Sequence, residues 1–333
     1  MKIAITGSAG FIGMHLSQFL ARNGYSEQLN IDFLNPIYGP ELSTLRTQEL
    51  KKEGLSIDQI DLSATTPKIL AEKLENCEIV IHLAANAGVR TSAVAPYSYS
   101  QSNVNGFVNL LEAIRLTRPS LFMFASSSSV YGNSPTIIQD EESANGLNLN
   151  SYYAATKWTN EILARSYANA YNLNMVALRF FTVYGNYGRP DMAYMSFMKS
   201  LVEGRTIEIY GTDGGKRSYT HISDVVKTIY ELINSPKIKS QSQKNSTFFN
   251  ALNIGNEENS SAIEILKILE SSSKLQPQLK FVARPSFDVD STKCSMDKTF
   301  TYIPKFEFLK IEKGIAAFAS WYLDYFLKQL PNR

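Results

Sequence analysis

Glycines at positions 7, 10 and 13 follow directly on the short apolar run 3–6 and open a helical pattern over about 11–23. Glycine permits a tight turn and lets backbone approach a pyrophosphate closely. The helix start adds free N–H groups and the positive end of the helix dipole. A glycine-rich turn alone would say little, but here strand, turn and helix follow in the required order. Gly24 supplies the helix stop. Apolar runs recur at 29–33, 79–83, 121–124 and 175–178, with helical patterns at 66–75, 103–117 and 152–171 between them. Strands alternating with helices predict an α/β fold, a Rossmann-type doubly wound parallel sheet.

Asp32 stands 19 residues past Gly13, at the end of the second strand. A carboxylate there accepts hydrogen bonds from a ribose diol and repels a 2′-phosphate, which favours NAD over NADP. Asp61 and Leu62 suit a place against the adenine, although Asp61 also fits a solvated loop. After Phe180 the texture changes. Residues 184–191 are rich in Gly, Tyr and Pro, and polar stretches follow at 211–217 and 235–247, with 239–246 polar enough for a mobile loop. An aromatic-rich helix over 314–327 is expected to pack on a smaller mixed C-terminal lobe.

A chain of 333 residues with 44% hydrophobic content can bury a full core. The charge of +2 comes from 33 basic and 31 acidic residues without like-charge blocks, so neither nucleic acid nor a membrane surface is implied. Cys77 and Cys294 lie far apart with no CxxC pattern, which argues against a disulfide framework and a metal site. The start, 1–5, reads as a buried strand rather than a signal peptide, and no apolar run is long enough to span a membrane. A cytoplasmic protein is expected.

Tyr153 is the only one of 18 tyrosines with a lysine four residues ahead, Lys157. On a helix that spacing puts phenol and ammonium on one face. A neighbouring cation favours phenolate and lowers a pKa that starts near ~10, so such a tyrosine can take a proton from an alcohol. The serine run Ser126-Ser127-Ser128-Ser129 precedes the pair. Together with the glycine loop, His82-Leu83-Ala84-Ala85 and 126–132, the pair resembles the extended short-chain dehydrogenase/reductase superfamily over nearly the full length. Within it, Ala87-Gly88-Val89-Arg90 and the segment 181–193, containing Gly188-Arg189-Pro190-Asp191-Met192-Ala193, are similar to UDP-glucuronate 4-epimerases.

The resemblance implies an NAD-binding domain over 1–178 with a returning segment near 218–252, and a nucleotide-sugar lobe from 179–217 and 253–330. NAD would lie along Gly7, Gly10, Phe11, Ile12, Gly13, Asp32, Asp61 and Leu62. Leu83, Ala84, Ala85, Asn103, Tyr153 and Lys157 complete its expected contacts. Tyr153 would act as base and then acid, Lys157 would hold the nicotinamide ribose and depress the tyrosine pKa, and Ser127 would hydrogen-bond the C4 oxygen, with Ser128 and Ser129 as alternatives. Arg90, Thr182 and Arg189 fall at sugar-binding positions. For Arg189 the competing expectation is a loop arginine paired with Asp191. Arg217 and Arg284 match diphosphate clamps, though each also fits an ordinary surface arginine. His82 and His221 receive no chemical role.

The family mechanism passes hydride from C4 to NAD, rotates the 4-keto sugar and returns hydride to the opposite face. Phe33, Asn186, Ser218 and the Ser286-Phe287 interruption before Asp288 depart from the family pattern. The expected activity is UDP-glucuronate 4-epimerisation to UDP-galacturonate for surface polysaccharide. Alternatives are 4-epimerisation of UDP-glucose or UDP-N-acetylglucosamine, UDP-glucuronate decarboxylation, and an NAD-binding sensor or scaffold. A 4,6-dehydratase is disfavoured because an Asp-Glu pair is missing from 151–153 and the serine run. Family resemblance also implies a homodimer through helices near 103–117 and 152–171.

Overall fold

The computed structural model describes residues 1–34, 40–133, 138–242, 247–284 and 291–329. Residues 243–246 of the expected loop, and Ser286, Phe287 and Asp288, lie outside the described residues. Among the described residues, seven strands form one sheet in which every neighbouring pair is parallel. Six are β1 (Lys2–Thr6), β2 (Gln28–Asp32), β3 (Asp58–Gln59), β4 (Cys77–His82), β5 (Leu121–Ser127) and β6 (Asn174–Phe180); the seventh is Phe248–Ile254. Their spatial order is Phe248–Ile254, β6, β5, β4, β1, β2, β3. The order reverses at β1, so a crevice opens beyond the carboxyl ends of β1 and β4.

Alternation along the strands distributes the core to both faces. Ile3 and Ile5 join Leu16, Leu178, Val225 and Ile229 on one side. Ala4 joins Val80, Leu111 and Phe122 on the other. Burial of both faces explains why these strands read as continuous apolar runs. A further cluster builds the smaller lobe around the helices Ala193–Glu203, Ala262–Ser273 and Ile311–Trp321, with Met198, Leu266 and Phe318 at its centre. The last of these helices continues through a π turn, Tyr322–Phe326. Short pairings frame the lobe: Thr206–Tyr210 with Gln278–Val282, Lys216–Arg217 with Ser260–Ser261, and Thr182–Tyr184 with Tyr219–His221.

Several elements differ from the sequence expectation. The helix Pro40–Lys52 had no clear periodic signal, because its buried Leu42, Leu45 and Leu50 are interspersed with polar residues. The polar 235–247 stretch contains a helix, Pro236–Ser242. Asn103 lies in a π turn, Ser100–Asn105, ahead of the helix Gly106–Thr117. Among the described residues no helix is long and apolar enough to cross a membrane.

A buried ion pair ties the helix Tyr152–Tyr171 to the sheet. Arg179 of β6 meets Glu161 of that helix at 2.8 Å, with side chains only 3% and 4% exposed. Ser126 of β5 donates to the same carboxylate at 2.5 Å. Arg179 also donates to the Glu141 carbonyl and the Tyr131 hydroxyl. Removing one partner leaves a buried charge unmatched, so Arg179→Met is expected to cost about 3–5 kcal/mol of unfolding free energy in chemical denaturation. A loss below about 1 kcal/mol would contradict this account.

Candidate active site

The cofactor end of the crevice is built from backbone. Gly7 has φ +75, and a Cβ there would lie 2.5 Å from the Ala84 nitrogen. A Cβ on Gly13 would fall 2.0 Å from the Gly7 carbonyl oxygen. Only hydrogen fits at either place, and the helix Phe11–Arg22 starts directly above them with no side-chain cap on its first N–H groups. The half-buried Asp32 carboxylate accepts from the backbone N–H groups of Ala9 at 2.9 Å and Leu34 at 2.8 Å. Burial pushes its pKa up and those N–H groups oppose the rise. Asp61 accepts from the backbone N–H and hydroxyl of Ser63, which fixes the turn before the helix Pro67–Leu74.

Residues predicted from sequence converge here. Gly7, Gly10, Phe11, Ile12, Gly13, Asp32, Asp61 and Leu62 line one cavity of about 640 Å³, together with Leu83, Ala84 and Ala85. The same cavity reaches Ser127, Ser128, Ser129, Tyr153, Lys157, Thr182, Arg90, Arg189 and Arg217. Two predicted residues stand off its wall. Asn103 is buried behind it, accepting from the Asn86 N–H and donating to the Asn86 carbonyl and the Thr156 hydroxyl. Asn86 itself is on the wall, so Asn103 shapes the cavity at one remove. Arg284 lies over the Gly211 turn with Asp213 at 3.8 Å.

The reactive face joins β5 to the helix Tyr152–Tyr171. Ser127 lines the cavity with Tyr153, and its hydroxyl accepts from the Ser129 backbone N–H at 3.1 Å. Burial raises the tyrosine pKa; the charge of Arg189 and a hydrogen bond from Ser127 oppose the rise, and the Asp191 carboxylate paired with Arg189 adds to it. The Lys157 ammonium donates to the Ala125 carbonyl at 2.9 Å and lies 6.0 Å from the Tyr153 ring centre. Burial lowers its own pKa to about 8.

The cations are held in different ways. Arg189 forms a two-pronged pair with Asp191 at 3.0 and 2.7 Å. Arg90 lies over the Tyr210 ring at 4.6 Å, bridging from the segment after β4 to the smaller lobe. Arg217 donates to the Lys216 carbonyl at 2.9 Å. His82 is buried, within 2.7 Å of the Thr6 hydroxyl, and its pKa falls to about 3. His221 caps the helix Ile222–Asn234 by accepting from Ser223, and burial lowers its pKa to about 4. Burial thus keeps both imidazoles neutral at pH 7. Among the described residues no cluster of His, Cys, Asp and Glu could hold a metal.

Among the wall residues that escaped the sequence reading are Asn86 and Arg46. Asn86 follows the strand-end motif but carries no charge to mark it. Arg46 lies 6% exposed in the helix that lacked a periodic signal. The glycine cradle is the space a Cβ would fill, and Asp32 faces the same cavity, so the residues present fit NAD.

Comparison with known proteins agrees with this geometry. The NAD dependent epimerase/dehydratase family matches residues 3–255. UDP-glucuronate 4-epimerase 5 of Arabidopsis thaliana is 34% identical, covering 98% of this chain and 76% of that protein. Protein CapI of Staphylococcus aureus is 34% identical over 98% of this chain and all of its own length (100%). The structure of UDP-glucuronic acid 4-epimerase from Bacillus cereus, in complex with UDP-glucuronic acid and NAD, superposes with a TM-score of 0.86. It is 29% identical, covering 97% of this chain and 99% of that one. With its parallel sheet, glycine cradle and Tyr–Lys helix, this chain belongs to the NAD-dependent epimerase/dehydratase family.

Proposed function

We propose that this enzyme inverts C4 of UDP-glucuronate to give UDP-galacturonate. The observation that carries the proposal is a cation lining the same cavity as the base. Arg189 lines the same cavity as Tyr153, so an acidic sugar there would meet both and would share the guanidinium with Asp191. Likeness to proteins named as UDP-glucuronate 4-epimerases supports the choice of sugar.

NAD, when bound along Gly7, Gly10 and Gly13 with its ribose at Asp32, supplies the hydride acceptor at C4 and later returns the hydride. Tyr153 takes the proton from the O4 hydroxyl and gives it back after the sugar has turned over. Ser127 holds the C4 oxygen by a hydrogen bond, and Ser128, Ser129 and Thr182 offer hydroxyls on the same wall. Lys157, mostly charged at pH 7 with its pKa near 8, is proposed to hold the nicotinamide ribose. Arg90 and Arg217 are proposed to meet the diphosphate, since guanidinium forks match phosphate oxygens. Arg284 stands off the wall in this structure, so a diphosphate contact from it requires movement away from Asp213.

A 4-keto sugar carrying a C5 carboxylate is a β-keto acid. It loses CO2 when the C–C bond to the carboxylate lines up with the carbonyl π system. Epimerisation therefore requires that the carboxylate be held out of that alignment. Arg189 and Thr182 are proposed to do so. The exposed Leu116 and Ile162, on the two helices named above, are the proposed contact with a second copy of the chain.

Tyr153→Phe is expected to lower kcat about 10²–10⁴-fold in a product-chromatography assay while leaving bound NAD at the parent level. Incubation with UDP-glucuronate should give UDP-galacturonate without UDP-pentose, and turnover of neutral UDP-sugars alone would overturn the proposal. Arg189→Ala is expected to lose discrimination between UDP-glucuronate and UDP-glucose. An unchanged ratio of kcat/KM values would remove Arg189 from sugar recognition.

Lys157 also makes stability depend on pH. With a folded pKa near 8 against the usual 10.5, the unfolded chain binds more protons between those values, so stability rises with pH through that window. Lys157→Met lacks this slope. Its Tm advantage over the parent should therefore shrink from pH 8 to 10.5, and a constant difference would refute the assignment.

A further inference from the structure

We propose that Arg46 is a positioning residue for the acidic end of the sugar, acting through the backbone that carries Arg189. The inference rests on the proposed role of Arg189 at the sugar. Arg46 belongs to the helix Pro40–Lys52, on the cofactor side of the crevice, yet its guanidinium reaches the loop of the smaller lobe. Its Nε and Nη2 donate to the Tyr187 carbonyl at 3.0 and 2.7 Å, and Nη2 also reaches the Gly188 carbonyl at 3.3 Å. These are the two carbonyls directly before Arg189.

The loop needs such a hold. Tyr187 sits at φ +59, a left-handed conformation that residues other than glycine avoid unless their surroundings impose it. Its ring is fixed against Trp321 at 4.8 Å. From the other side, the Tyr194 hydroxyl donates to the Gly185 carbonyl at 3.0 Å, and a Cβ on Gly188 would collide with that hydroxyl. Residues 185–188 are thus gripped between Tyr194 and Arg46. Arg189 leaves this gripped segment directly and is steadied by Asp191.

A planar guanidinium suits the task, because Nε and Nη2 converge on one carbonyl oxygen while Nη2 also reaches the next, which fixes direction as well as distance. A lysine at 46 would keep the charge and lose the fork. The same guanidinium exerts its charge on the Asp32 carboxylate, so one side chain links the ribose end of the cavity to the sugar loop.

A double-mutant cycle on the full-length, NAD-loaded enzyme tests this. Arg46→Met is expected to lower kcat/KM on the order of 10- to 100-fold, as displaced positioning groups do. It should also reduce the preference for UDP-glucuronate over UDP-glucose, measured at saturating NAD. Added to Arg189→Ala, it should cost no more than about threefold further, because both changes remove one unit. Multiplicative losses in the double variant, parent-like kcat/KM in Arg46→Met, or an unchanged substrate preference would each overturn the proposal. If Arg46→Met does not fold, the cycle is run with Arg46→Lys and judged by the same outcomes. It is run on whichever UDP-hexose the parent converts. Failure of UDP-glucuronate as a substrate is read from the parent alone, while the coupling between positions 46 and 189 is still decided.

Discussion

The backbone of Gly7 lies against the backbone of Leu83 and Ala84, with no volume for even one methyl group between them. This contact joins the carboxyl ends of β1 and β4, the place where the strand order reverses. Because the two strands are in register there, the helix Phe11–Arg22 must begin over the crevice, with its free N–H groups facing in. The β5 serines and the Tyr153 helix then stand on the far wall of a cavity whose near wall is backbone. A side chain at Gly7 would push β1 and β4 apart and widen the crevice before any ligand entered it.

On that far wall, helix spacing and electrostatics part company. The i,i+4 relation places Tyr153 and Lys157 on one face, as the periodicity requires. It does not say where a flexible four-carbon stem sends its ammonium. The Ala125 carbonyl at the end of β5 takes that ammonium, and the phenol is left with Ser127 and the field of Arg189. Lys157 remains near the ring, but as a donor anchored to the sheet. A second cation in the same cavity, Arg189, comes from a loop 36 positions further along the chain than Tyr153.

What was legible in the sequence follows from how local its cause is. The glycine loop, the apolar strands and the Ser–Tyr–Lys set each depend on a few neighbouring residues, and the structure brings them to one cavity. The helix carrying Arg46 was not read from the sequence, because only three leucines, at helical spacing, mark its buried face among many polar residues. Arg46 is buried only because carbonyls from Tyr187 and Gly188 receive it, and nothing near position 46 announces them. Asn103 and Arg284 show the converse. Their residue types suit a ligand, but Asn86 and Asp213 occupy them in this structure. Polar side chains are assigned by partners far away in sequence, whereas apolar periodicity is assigned by the element itself.

The Glu161–Arg179 pair explains how a mobile-looking chemistry can be held to a fixed register. Replacing a buried ion pair with apolar groups often costs nothing, so stability alone does not account for it. An apolar contact between helix and sheet tolerates sliding, because one methylene packs much as another does. A carboxylate that must receive both Ser126 and the Arg179 fork does not tolerate it, since any slip strands a charge in the core. Glu161 lies one turn beyond Lys157 and two beyond Tyr153 on the same helix. Ser126 immediately precedes Ser127 on the strand. The lock therefore sits beside the two elements whose relative placement decides whether Tyr153 and Ser127 can share one oxygen.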